Sequence, residues 1–95
     1  MEYEIILSVD FKNSLDKILN YMIFVLDNPL AASALNDELE RVTKIISVFP
    51  ESFKERENRP GTRYAIVRNY MLLYSFDADE MTVTFKDIVY AKGKF

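Results

Sequence analysis

The chain contains no cysteine, no histidine and no tryptophan, and only two glycines and three prolines in 95 residues. Without cysteine there is no disulfide framework and no thiol chemistry. Without histidine the commonest general acid/base and the commonest metal ligand are both missing. The glycine pair, Gly61 and Gly93, cannot supply a glycine-rich phosphate loop, and no Ser-His-Asp or Cys-His set can exist. Asp77, Asp79 and Glu80 cluster, but the glycine and the distal glutamate of a calcium loop are absent, so the cluster reads as a hairpin turn. No cofactor and no metal is expected. No apolar run reaches the roughly 18 residues of a membrane span. The first residues, MEYEIILSVD, are acidic where a secretion signal is basic. A cytoplasmic chain with no membrane partner is the expectation.

What is present is a compact apolar composition, 49% hydrophobic and 14% aromatic. That supports one globular domain over residues 1–95. The net charge of −3 hides an asymmetry. Residues 1–51 hold four Lys/Arg against nine Asp/Glu, and residues 52–95 hold eight against six. An acidic half and a mildly basic half suit two different surfaces. Overall acidity disfavours tight non-specific binding to nucleic acid.

Glu2 to Val9 is rich in Ile, Leu and Val and reads as a strand. Asp10 is the expected N-cap of a first helix. Its apolar face, Phe11, Leu15, Ile18, Leu19, Met22 and Leu26, recurs at intervals of three and four. Tyr21, Ile23, Phe24 and Val25 widen that stripe beyond what a small sheet covers, which predicts an exposed apolar groove for a partner segment. Tyr3, Tyr21, Phe24 and Phe49 are otherwise at core-like positions. Asn28 then caps a second helix whose first residue is Pro29. Its apolar face carries Ala31, Leu35, Leu39, Val42, Ile45, Ile46 and Phe49, and Pro50 ends it. So short a connection makes the two helices an antiparallel hairpin.

Glu51 to Thr62 reads as a polar loop, with Lys54, Arg56 and Arg59 interleaved with Glu55 and Glu57. It is either solvated or a basic flap beside a phosphate. From Gly61 to Phe76 two strands meet near Asn69. The second, Tyr70 to Phe76, is too apolar on both faces for an edge. Asp77 to Glu80 forms a hairpin loop. The last strand alternates, with Met81, Val83, Phe85 and Val89 on one side and Thr82, Thr84, Lys86, Ile88 and Tyr90 on the other. Lys92 and Lys94 continue the side of Lys86 and Tyr90. The fold class is α+β, in the order β-α-α-β-β-β, with the helical hairpin on one face of an antiparallel meander.

In that order, several strings resemble toxins of the RelE/ParE superfamily from bacterial type II toxin–antitoxin, or plasmid stabilisation, systems. They are Tyr3-Glu4-Ile5, the helix end at Tyr21, Asn28-Pro29-x-Ala31-Ala32 and Phe49-Pro50. Thr62-Arg63-Tyr64, Asn69-Tyr70-x-x-x-Tyr74 and Ile88-Val89-Tyr90-Ala91-Lys92 complete the set. The long hairpin with its Asn-Pro turn is more similar to the ParE branch.

The resemblance implies a growth-inhibitory toxin neutralised by a cognate antitoxin, a helix or strand of which is expected to dock at the Tyr21–Leu26 stripe, with operator DNA bound only indirectly, through that antitoxin. ParE-like members act on DNA gyrase. RelE-like members are ribosome-dependent mRNA endoribonucleases. A decayed toxin that only binds its antitoxin is a third possibility. For a nuclease the resemblance places Arg63, Tyr90, Lys92 and Lys94 as catalytic candidates, without a metal. Arg56, Arg59, Arg68 and Lys86 are the substrate-binding candidates. A fixed guanidinium such as that of Arg63 offsets charge building on a phosphate. Its ordinary alternative is a carboxylate partner such as Glu57 or Asp87. Tyr90 stands where many family nucleases have histidine, and Phe95 where some have tyrosine. The ordinary alternative for Tyr90 is packing at a strand end.

Overall fold

A computed structural model describes residues 2–91. Strand β1 (Glu4–Leu7) leads into helix α1 (Val9–Asn20), which loosens into a π-helical turn over Tyr21–Val25. Helix α2 (Pro29–Val48) follows, then a 3-10 turn at Pro50–Ser52. Four further strands follow among the described residues: β2 (Glu55–Arg56), β3 (Arg59–Val67), β4 (Tyr70–Asp77) and β5 (Thr82–Tyr90). They form one open sheet in the order β1-β5-β4-β3-β2. Every neighbour is antiparallel except β1, which lies parallel to β5.

The expected α+β architecture is the one observed, and β4 is central, as its two apolar faces require. One face of the sheet carries the helical hairpin. Phe11 from α1, Leu35, Leu39, Val42 and Ile46 from α2, and Ala65, Val67, Leu72, Tyr74, Val83, Phe85 and Ile88 from the sheet form the main core. Leu15, Ile18, Leu19 and Met22 pack against it, so the stripe read on α1 is the buried face.

Four local readings change. Ser8, not Asp10, caps α1: its hydroxyl accepts from the Phe11 N–H at 3.0 Å and donates to the Lys86 carbonyl at 2.9 Å. One short side chain thus ends β1, starts α1 and ties both to β5. Asn28 caps α2 as expected, its side-chain oxygen accepting from the Ala31 N–H at 3.1 Å.

The second change is in the supposed loop. Glu55–Arg56 pairs with β3, and the pairing jumps from Arg63 to Arg59 across an irregularity holding Gly61 at φ +84°. Strand pairing uses backbone groups, so a run of charged side chains at a sheet edge conceals it from a hydropathy reading.

The third change is in the last strand. Tyr74 pairs with Phe85 and Leu73 with Asp87, which leaves Lys86 as a bulge. The extra residue reverses the alternation beyond it. Ile88, 1% exposed, joins Phe85 in the core, and Val89 turns to the opposite face.

The fourth change concerns aromatics. Tyr3 packs edge-on against Phe76, with ring centroids 5.9 Å apart. Tyr21, Phe24 and Phe49 are exposed rather than core residues. The π turn re-aims the first two, and Phe49 is the capping residue beyond the last turn of α2.

Candidate functional site

The sheet face opposite the helices has its own small apolar cluster: Met71, Leu73 and Ala91 buried, with Tyr64 packed against them. Alternation puts it there. In β4, Leu72 and Tyr74 point to the helices, so Met71 and Leu73 point away. The bulge at Lys86 adds Val89 to this face. Around the cluster runs an open groove of about 580 Å³ lined by residues that include Lys54, Arg56, Asn58, Tyr64, Met71 and Tyr90.

One cation lines the groove, and a second stands on the same sheet face outside it. The Arg56 guanidinium lies 3.4 Å from the Met71 sulfur. From the bulge, the Lys86 ammonium reaches the Thr62 hydroxyl at 3.0 Å. Neither forms a salt bridge among the described residues. Together they offer charge-assisted hydrogen bonds to an anion or to carbonyl and carboxylate groups of a partner.

Arg63 is elsewhere. Its side chain lies on the helix side, where Nη1 donates to the Phe53 carbonyl at 2.7 Å and the Glu51 carbonyl at 3.4 Å. The guanidinium carbon stands 5.6 Å from the centre of the Phe76 ring. No carboxylate pairs with it among the described residues. The guanidinium therefore ties down the chain segment between the 3-10 turn and β2. Beside it, Tyr74 donates its hydroxyl proton to the Pro50 carbonyl. Burial pushes the Tyr74 phenol up to about 12, while the nearby Arg63 pulls it the other way.

Tyr90 ends β5 and meets Tyr70 edge-to-face, with centroids 5.6 Å apart. Burial raises the Tyr70 phenol above its usual range, and Tyr90 and Tyr21 reinforce the shift. Arg68 and Asn69 make the two-residue turn between β3 and β4, with Arg68 in the left-handed region at φ 57°. Arg59 starts β3 at the exposed edge. Lys92, Lys94 and Phe95 lie outside the described residues. Of the sequence candidates, Arg56 and Tyr90 line the far-face groove, Lys86 stands outside it against Thr62, and Arg63, Arg59 and Arg68 are dispersed. Among the described residues no acidic cluster suited to a metal ion forms.

A second surface lies at the β1 edge. β1 has β5 on one side and, among the described residues, no strand on the other. Between that edge and α2 runs an apolar groove of about 620 Å³ lined by residues that include Ile5, Leu7, Phe11, Leu15, Leu39 and Phe85. Glu40 and Lys44 stand at its rim. The Met71–Leu73–Ala91 cluster and this groove were not singled out from the sequence. The signal for the first was present, since β4 is apolar on both faces and only one face can meet the helices. The second needs the strand order, which spacing does not reveal.

The match that decides the family is to the model of the ParE toxin of type II toxin-antitoxin systems, parDE, over residues 5–93. The chain belongs to that family. A solved structure of a chromosomal ParDE toxin–antitoxin system from P. aeruginosa has a chain with the same fold. Its TM-score is 0.75 at 14% identity, with 95% of this chain and 97% of that chain covered. The RelBE2 toxin–antitoxin complex from Mycobacterium tuberculosis aligns at a TM-score of 0.67 and 21% identity, covering 95% of this chain and 99% of that one. At these identities both likenesses speak to the fold. Comparison with curated protein sequences finds no match. Among the described residues of this ParE family member no helix is long and apolar enough to cross a membrane.

Proposed function

We propose that this chain is the growth-inhibitory toxin of a type II toxin–antitoxin pair, that it acts by binding DNA gyrase, and that a cognate antitoxin neutralises it. The observation that carries the reading is the family match over nearly the whole described chain. The arrangement of the cations supports binding rather than strand cleavage. A nuclease must bring a phosphate-binding cation and a proton-transferring group within hydrogen-bond reach of one phosphate. Arg63 pairs with Tyr74 and Tyr90 with Tyr70, so the two residues stand roughly 13 Å apart along the strands. The Arg63 guanidinium is also already engaged by two carbonyls.

The far face of the sheet offers Arg56, in the groove, and Lys86, beside Thr62, to the target. The antitoxin fits the groove at the β1 edge, where an extended or helical segment with apolar side chains covers Ile5, Leu7 and Phe11. Operator DNA enters only through the antitoxin.

A second reading, ribosome-dependent mRNA endoribonuclease, rests on the far-face groove itself. It places Arg56, Tyr64 and Tyr90 around a space large enough for a nucleotide. Induced expression in bacterial cells without antitoxin tests both. Growth is expected to stop, and co-expression of the antitoxin to restore it. Mapping of transcript 5′ ends in the arrested cells is expected to show no new discrete cuts. Cuts in translated messages replace the gyrase reading with the nuclease, and undisturbed growth removes both.

A further inference from the structure

The tip of the helical hairpin has an unusual surface. From Ile18 to Asn36 the only charged residue is Asp27. Phe24 is 78% exposed and Leu30 82%, and Tyr21, Val25 and Leu26 are exposed with them. Turns between helices are ordinarily polar, and a contiguous apolar patch marks a contact surface. The π turn builds this patch. Its Leu26 N–H reaches the Tyr21 carbonyl at 3.0 Å, and the Asn28 N–H reaches the Met22 carbonyl at 2.8 Å. The widened turn holds Phe24 and Val25 out to solvent. Such turns recur at functional sites.

Beside the tip is a pocket of about 500 Å³ lined by residues that include Tyr21, Tyr70, Tyr90, Leu26, Ala31 and Arg68. Three phenol rings border it. Arg68 stands exposed at its mouth in the left-handed region, although Asn69 next to it is the residue type that tolerates that region more readily. Arg68 is in no salt bridge among the described residues. Its field reaches Glu38, whose own partner is Arg41 at 2.9 Å. Asp27, also left-handed at φ 50°, is likewise in no salt bridge among the described residues.

We propose that two copies of this chain associate through their hairpin tips, Phe24 of each copy entering the tyrosine-lined pocket of the other. The tip presents an aromatic anchor and, three residues on, an acid. The pocket presents aromatic walls and an arginine that is in no salt bridge among the described residues. Phenylalanine against tyrosine rings is a favourable edge-to-face contact, and Asp27 of one copy meets Arg68 of the other. Both halves of the match lie on the same face of the same chain, which is what a two-fold interface requires. The aliphatic neighbours Val25, Leu26 and Leu30 fill the space about the axis, and they give a nucleic acid nothing to bind.

Sedimentation velocity on the purified full chain from about 1 to 100 µM tests this, the range in which a modest dimer shows its concentration dependence. The wild type is expected to shift from monomer to dimer. Phe24→Ser, whose side chain is outside the core, is expected to keep its circular dichroism and to associate at least about tenfold more weakly. Asp27→Lys and Arg68→Glu are each expected to weaken association, and the double variant to recover it. A wild type that stays monomeric throughout, a Phe24→Ser chain that dimerises as well as the wild type, or a double variant no better than its parents overturns the proposal. A monomeric chain whose Phe24→Ser variant loses its hold on an antitoxin also overturns it, and gives the face to the antitoxin.

Discussion

Replacing Tyr74 by alanine is expected to cost about 4 kcal/mol, the largest loss of any single truncation in this core. A domain of this size has only about 5–15 kcal/mol to lose. Tyr74 is fully buried and is the largest such side chain in the core. Its ring lies 6.4 Å from that of Phe85 on β5, and its hydroxyl holds the Pro50 carbonyl just beyond α2. One residue thus joins the end of the helical hairpin to the centre of the sheet. Tyr74→Phe keeps the ring and orphans the carbonyl, so a smaller loss of about 1–2 kcal/mol is expected. Urea denaturation of the two variants separates packing from hydrogen bonding.

The same residue gives the fold an alkaline limit. Its phenol is pushed up to about 12 by burial, against about 10 in an unfolded chain. The raised value means the unfolded state loses its proton first. The contribution of Tyr74 is therefore complete below pH 10 and is lost as pH rises towards 12, on the order of 2 kcal/mol in all. Tyr70, raised in the same direction by burial, adds to the slope. Stability measured against pH is expected to fall less steeply in Tyr74→Phe than in the wild type. Equal slopes would show that the phenol is not shielded.

Replacing Arg63 by alanine is expected to lower stability by about 2 kcal/mol, because the Phe53 and Glu51 carbonyls lose a charged donor. Arg63→Lys should recover part of this, since a single ammonium can serve one carbonyl but lacks the planar fork. The segment released leads directly into β2, where Arg56 borders the far-face groove. Reduced toxicity in Arg63→Ala is thus expected to track its lower melting temperature. Unchanged stability with abolished toxicity would instead assign the guanidinium to a phosphate.

Much of the architecture is legible in local patterns. The Asn28-Pro29 cap, the apolar face of α1 and the two-sided apolarity of β4 each have one reading, because capping chemistry and period leave little choice. What is hidden depends on pairing. β2 is invisible because its residues are charged and only its backbone joins the sheet. The bulge at Lys86 is invisible because one added residue changes no composition, yet it moves Ile88 to the core and Val89 to the far face. Arg63 illustrates the same limit at the site. An arginine next to an aromatic strand reads as a phosphate ligand or an ion-pair partner. Its actual partners are backbone carbonyls ten and twelve residues away, which no side-chain pattern announces. Arg56 and Lys86 are legible as cations, but only the sheet order places them on one face.

We propose gyrase as the target of this ParE family member, with its antitoxin reversing the effect. Supercoiling of a relaxed plasmid by purified gyrase, with the purified chain added, tests it most directly. Loss of supercoiling and accumulation of gyrase-cleaved DNA are expected, both relieved by the antitoxin. Unaltered supercoiling at a concentration of the chain that arrests growth would contradict it.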